Sequence, residues 1–80
     1  MSGHYPPLTC KDVKTILKNL GFEPSPQKGT SHEHWKLIKN GRLYKVTVDC
    51  PKQPFCGKLL SYMIQQSGVS KSDFYATLDK

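Results

Sequence analysis

The fold is decided by residues 32–49, which read HEHWKLIKNGRLYKVTVD. Two strand-like runs rich in aromatic and β-branched residues flank Asn40-Gly41, a pair typical of the two-residue type I′ turn of a β-hairpin. A turn at this position fixes the register of the hairpin, so His32 is predicted to face Asp49 across the two strands. The same register opposes four further pairs: Lys39 and Arg42, Leu37 and Tyr44, Trp35 and Val46, and His34 and Thr47.

The two faces of this hairpin differ in chemistry, because successive side chains of a strand point to opposite sides of the sheet. One face is apolar and suits a cover of helices. Trp35 belongs to it, which predicts a core position rather than a base-stacking role. The apolar face comprises Trp35, Leu37, Tyr44, Val46 and Val48. The polar face comprises His32, His34, Lys36, Lys45, Thr47 and Asp49, with Ile38 and Leu43 near the turn.

A helix followed by a strand is predicted upstream of the hairpin. Thr9 and Asp12 have the spacing of a capping box, apolar residues follow at helical intervals, and Gly21 favours a stop. Beyond Gly21, Pro24 and Pro26 allow an edge strand at best, because proline cannot donate to a sheet. The sheet is therefore predicted to have three strands.

Two helices are predicted downstream. The second helix of the chain spans about residues 57–67, and Ser70 and Asp73 repeat the capping spacing before a short third helix. The predicted fold class is α+β, with the order α-β-β-β-α and an additional C-terminal helix. Residues 1–8 are predicted to be an extended lead-in, and residues 9–80 a single domain.

Length and charge favour a function carried on an open surface. The chain has 80 residues, which suffices for a thin core but hardly for a deep pocket with a lid. Its 12 Lys and Arg against 6 Asp and Glu give a net charge of +6. This balance fits either a solubilised surface or a domain that binds a polyanion such as a nucleic acid.

The number of cysteines helps to predict the cellular compartment of the protein. Cys10, Cys50 and Cys56 are an odd number, in a sequence without a recognisable signal peptide or membrane-spanning run. A disulfide framework is therefore not expected, and the thiols are predicted to be core or incidental. These features predict a cytoplasmic protein with no membrane attachment.

The polar face has the groups that cleavage of RNA requires. His32 and His34 share it, Lys36 continues their row, and Lys45 lies opposite. An imidazole can deprotonate the 2′-hydroxyl of RNA near neutral pH, and cations can offset the charge that develops on phosphorus. Asp49 could orient the ring of His32. The same residues also fit an ordinary polar surface with an ordinary cross-strand pair.

Two other interpretations remain open from the residues. A His-x-His pair can bind zinc, and Cys50 or Cys56 could complete such a site, although the sequence has no Cys-x-x-Cys motif. The basic surface could instead hold RNA through phosphate contacts without cleaving it. Zinc predicts sensitivity to chelators, whereas a binding module predicts salt-sensitive binding that survives the loss of His32.

An ordered set of segments resembles the HicA toxins of bacterial toxin–antitoxin pairs. In chain order these are KNLGF (18–22), QKGTSH (27–32), KVTV (45–48) and GKLLSYMIQQSG (57–68). The segment QKGTSH is similar to the family's signature of a glycine, a small polar residue and a histidine. The resemblance covers roughly residues 9–78.

This resemblance implies both a fold and an activity. The fold would be like that of a double-stranded-RNA-binding domain, with helices on one face of a three-stranded antiparallel sheet. The activity would be that of an mRNA interferase, an endoribonuclease without metal or cofactor, with His32 as its catalytic residue. A HicB-type antitoxin would be the partner and bury the active face. The family's histidine-containing stretch after the third strand is replaced here by VDCPK (48–52), so the resemblance implies no role for Asp49.

The residues expected to bind RNA surround His32. Lys36 and Lys45 are expected to bind phosphates, and His34 lies beside them. Lys28 and the backbone of Gly29, which precede the first hairpin strand, are expected to help dock the RNA strand. The resemblance implies that the RNA they bind is mRNA.

Overall fold

The computed structural model describes residues 6–26 and 32–78. A three-stranded antiparallel sheet, in which the strands neighbour one another in chain order, is combined with three helices. The predicted α+β class and the α-β-β-β-α order with an additional C-terminal helix are confirmed. The elements are α1 (Cys10–Leu20), β1 (Glu23–Pro26), β2 (His32–Lys39), β3 (Arg42–Asp49), a 3-10 turn (Cys50–Lys52), α2 (Gly57–Ser67) and α3 (Lys71–Leu78).

The hairpin of β2 and β3 has the predicted register. Its turn places Asn40 at a φ of 54° and Gly41 at a φ of 76°. A type I′ turn requires positive φ at both central positions, and asparagine and glycine tolerate it better than other residues. His32 therefore lies opposite Asp49, and all the other predicted pairs are confirmed as well.

The core lies between the apolar face of the sheet and the helices. Trp35 is only 6% exposed, so its predicted core position is confirmed. Helix α2 packs against β3, and α3 packs against α1. The buried apolar residues are Leu8, Cys10, Val13, Ile16, Leu17, Phe22, Trp35, Val46, Val48, Phe55, Leu60, Met63, Ile64 and Phe74.

The helix ends follow the capping signals of the sequence. The Asp12 amide donates to Thr9 Oγ1 at 3.1 Å, and the Thr9 amide donates back to Asp12 Oδ2 at 3.2 Å. Ser70 Oγ accepts from the Asp73 amide at the start of α3. Each bond gives a partner to a backbone amide that has none within the helix. Within the described residues, no helix is long and apolar enough to cross a membrane.

One polar contact ties β2 to α1 on the covered side of the sheet. Glu33 lies on this side, where its Oε1 accepts a hydrogen bond of 2.8 Å from Trp35 Nε1. The same oxygen lies 3.3 Å from Lys14 Nζ of α1. The carboxylate therefore satisfies the indole N–H and holds the strand that carries His32 and His34 against the first helix.

Cys10 and Cys50 form a disulfide, which corrects the expectation that the cysteines are unpaired. They are 40 positions apart in sequence, but their Cα atoms are 5.2 Å apart. The pairing arises because the start of α1 lies against the end of β3, a contact that cysteine number and spacing do not reveal. Cys56 is a free, exposed thiol.

Candidate functional site

The polar face of the hairpin brings together the described residues that are predicted to act on RNA. His32, Lys36 and Lys45 are exposed, and His34 is partly buried. Lys28 and Gly29 lie outside the described residues, so their docking role stays a prediction. The sheet thus presents two imidazoles and two ammonium groups on one surface.

His32 and Asp49 form a close pair at the end of the hairpin. Nε2 of His32 lies 3.2 Å from Oδ2 of Asp49. The imidazole side chain is 52% exposed, whereas the aspartate side chain is 16% exposed. The carboxylate is therefore set back in the protein, where it can fix the orientation of a ring that remains accessible to a substrate.

His34 has a different environment on the same strand. Its Nδ1 shares a hydrogen bond of 3.0 Å with the Thr47 hydroxyl. Partial burial lowers the pKa of His34 below its ordinary value of 6.5, and the positive charges of Lys45 and Lys36 lower this pKa further, with His32 adding a smaller contribution. The neutral form of His34 is therefore favoured, and in this form the ring offers hydrogen-bonding groups rather than charge.

Lys36 and Lys45 lie directly opposite each other in the middle of the hairpin. Like charges that face each other across two strands destabilise a sheet. A bound phosphate would offset this repulsion, because it places negative charge beside both ammonium groups. The pair therefore favours an anionic ligand on the polar face.

A cleft of about 240 Å³ opens beside His32, between the end of the hairpin and α2. We refer to it as the His32 cleft. Phe55 and Met63 are buried at its base, whereas Leu59 and Tyr62 are exposed. Its other lining residues are Thr47, Asp49, Lys52 and Gln66. The candidate catalytic pair therefore borders a recess that has apolar and polar walls.

No local sequence pattern singles out the α2 side of this cleft. Tyr62 and Gln66 are one helical turn apart and flank the buried stripe that contains Met63. This spacing indicates only that they lie near the border of the buried face. Their proximity to His32 depends on α2 packing along β3, which is a tertiary contact.

The zinc interpretation lacks a ligand set in the part of the chain that the structure describes. In residues 6–26 and 32–78, no three His, Cys, Asp or Glu side chains are grouped so that they could hold a metal ion. Cys50, one of the two thiols considered for such a site, is bonded to Cys10. The described residues therefore do not favour a His-x-His zinc centre.

Comparison with known families identifies the chain. A family model described as the HicA toxin of bacterial toxin-antitoxin matches residues 10–69. The chain belongs to the HicA toxin family. The matched range of this HicA toxin begins with α1 and ends just beyond α2, so it includes the whole sheet and the His32 cleft. Membership indicates a nuclease-type toxin of a toxin–antitoxin system and implies a partner antitoxin. No curated protein and no solved structure matches the chain significantly.

Proposed function

We propose that this HicA toxin is a metal-independent endoribonuclease that cleaves mRNA, with His32 as its catalytic residue. The observation that carries the proposal is the 3.2 Å contact between His32 Nε2 and Asp49 Oδ2 on an otherwise cationic face. A carboxylate in this position orients the imidazole. This orientation assists proton transfer from RNA lying across the strands.

The reaction uses the nucleophile that RNA provides. The 2′-oxygen bonds to the adjacent phosphorus as its proton passes to His32. The bond from phosphorus to the 5′-oxygen of the next nucleotide breaks, and this oxygen takes up a proton from water. The hydroxide that remains takes the proton held on His32, which restores the imidazole. The products are a 2′,3′-cyclic phosphate and a 5′-hydroxyl, with no metal or cofactor consumed.

The cations of the polar face are proposed to hold the RNA backbone. Lys36 and Lys45 bind phosphates of the RNA backbone along the strands. His34 contributes hydrogen bonds in its neutral form. Lys28 and the Gly29 backbone, which precede β2, are proposed to dock the strand next to His32.

A HicB-type antitoxin is proposed to cover this face. Ile38 and Leu43 face each other beside the turn and are 75% and 58% exposed, respectively. They border a groove of about 460 Å³ that Lys36 also lines. Exposed apolar patches with polar borders are typical of protein contacts. An antitoxin seated on this patch would lie over the same sheet face as the histidines.

The decisive experiment compares purified wild type and His32→Ala on an mRNA in the presence of EDTA. The variant is expected to lose about 10²- to 10⁴-fold in cleavage rate, because it lacks the proton-transfer group. The wild-type products should carry a cyclic phosphate and a 5′-hydroxyl. His34→Ala is the matched control, with the same residue type on the same strand face, and it should raise KM more than it lowers kcat.

Two outcomes would contradict this function. Cleavage at the full rate by folded His32→Ala would remove His32 from the chemistry. Salt-sensitive binding of double-stranded RNA without cleavage by wild type would favour the non-catalytic RNA-binding module of the same fold type.

A further inference from the structure

The His32 cleft has a rigid apolar base. Phe55 and Met63 are each only 1% exposed. The backbone of Phe55 is fixed by two hydrogen bonds with Leu8, of 3.0 and 2.7 Å. Because this base is formed by buried, hydrogen-bonded residues, the recess exists before any ligand arrives. Binding to a preformed site loses less conformational entropy than binding to a site that the ligand must create.

Tyr62 provides an unusual aromatic surface at the mouth of this cleft. Its side chain is 61% exposed. Every other aromatic residue in the part of the chain that the structure describes is buried or half-buried. Aromatic rings left exposed beside a cationic surface are typical platforms on which unpaired bases of single-stranded nucleic acids stack.

The remaining walls supply groups that suit the rest of a nucleotide. Lys52 lies exposed in the 3-10 turn and lines the cleft, where its ammonium group can contact a phosphate. Gln66 lines the same recess and is partly buried. Its amide can both donate to and accept from the edge of a base. One cleft therefore offers a stacking surface, a cation and an amide next to His32.

We propose that the His32 cleft binds one unpaired base of the RNA substrate, stacked on Tyr62, with the adjoining phosphate near Lys52. This inference rests on the proposed ribonuclease function and deepens it, because it makes single-stranded RNA the substrate class. A base within a duplex is stacked on both sides and paired along its edge, so it cannot enter the cleft without leaving the helix.

Binding can be tested without cleavage. The probe is a 2′-O-methyl oligoribonucleotide with 2-aminopurine at one position, which lacks the 2′-hydroxyl nucleophile and remains intact. Stacking quenches 2-aminopurine fluorescence, so wild type and Tyr62→Phe should quench it, and Tyr62→Ala should bind about tenfold more weakly or quench less. Leu43→Ala is the matched control, because it also shortens an exposed apolar residue of this surface but lies near the turn.

Cleavage gives the second readout. Tyr62→Ala should lower kcat/KM on a single-stranded oligoribonucleotide by about tenfold, with Tyr62→Phe and Leu43→Ala close to wild type. Annealing the oligonucleotide to its complement should slow cleavage by wild type by at least about tenfold, because the base is then paired. Circular dichroism of Tyr62→Ala checks that the exposed substitution leaves the fold intact.

Fluorescence quenching and cleavage together distinguish the base subsite from the ribonuclease function. Cleavage by wild type with equal kcat/KM and equal quenching in Tyr62→Ala would overturn the base subsite and leave the ribonuclease proposal standing. Equal cleavage of single and duplex RNA would also overturn it. Tyr62-dependent quenching without any RNA cleavage would uphold the base subsite and contradict the ribonuclease.

Discussion

The carboxylate of Asp49 lies 3.2 Å from Nε2 of His32 and is much less exposed than the imidazole it contacts. The two residues come from opposite strands, at the end of the hairpin farthest from its turn. A positioning residue of this kind acts through the ring that it orients. It should therefore affect the rate of the chemical step rather than the affinity for RNA.

Asp49→Asn should reveal this role. The amide keeps the shape of the side chain but removes the negative charge beside the imidazole. We expect kcat to fall by about tenfold or more, a part of what proton-transfer catalysis contributes, with little change in KM. Steady-state kinetics with a short oligoribonucleotide provides the measurement. An Asp49→Asn enzyme with wild-type kcat would limit this contact to a structural role.

The titration of His34 is predicted from its surroundings. Its pKa should lie below 6.5, because partial burial and then Lys45 and Lys36 disfavour the charged ring. Lys45→Ala should raise this pKa without restoring the ordinary value, since burial remains. NMR titration of the imidazole protons measures both proteins. A midpoint at or above 6.5 in wild type would contradict the prediction.

The same shift has a consequence for stability. As the pH falls through about 6.5, the unfolded chain takes up a proton at this histidine before the folded chain does, so the folded state loses stability. Above that pH, the shifted pKa of His34 costs the folded state no stability. Urea unfolding at several pH values should show a shallower acid loss in His34→Gln than in wild type. Equal slopes in the two proteins would argue against the shift.

The facing lysines should affect RNA binding and stability in opposite directions. Lys45→Ala removes a like-charge pair and should raise the free energy of unfolding by about 0.5 kcal/mol. It should also weaken binding of single-stranded RNA, and the slope of log K against log salt should fall by about 0.7 for one lost phosphate contact. Lys18→Ala on α1 is the control. A Lys45→Ala protein with the wild-type salt slope would exclude this contact.

The disulfide should contribute substantially to the stability of so small a domain. It closes a loop of 40 positions, and replacing Cys10 and Cys50 by serine should lower the free energy of unfolding by about 4 kcal/mol. Urea unfolding with and without a reductant measures the effect. Cys56→Ser, at the exposed thiol, should unfold like wild type. A double serine variant as stable as the oxidised wild type would show that the bond contributes little.

The apolar patch near the turn can be separated from catalysis. Ile38→Ser with Leu43→Ser should cleave RNA at the wild-type rate, because both residues lie away from the His32 end of the hairpin. Growth arrest should then persist when the antitoxin is coexpressed, since its docking surface has been made polar. If the antitoxin neutralised this variant as completely as wild type, it would have to bind the toxin at a different surface.

Local chemistry explains why much of this fold can be predicted. Asn40-Gly41 sets the register of the hairpin, and the register alone places His32 opposite Asp49 and Lys36 opposite Lys45. Capping residues such as Thr9 set the helix boundaries through bonds between neighbours in sequence. These features need no knowledge of how distant segments pack.

The features that could not be predicted all depend on packing between distant segments. Cys10 meets Cys50 because α1 begins beside the end of β3. Tyr62 reaches the cleft because α2 follows β3, whereas the amphipathic pattern of α2 indicates only that one face is buried. Neighbouring residues therefore predict the histidine face, but the recess beside it requires the tertiary structure.

The alternation along β2 links the orientation of both histidines to the packing of the strand. His32 and His34 point to the polar face, while Glu33 and Trp35, between and beside them, anchor the strand on the covered side. A slip of one residue would turn the anchors to solvent and both imidazoles inward. Exposure of both imidazoles on the polar face therefore requires the native register of this single hairpin.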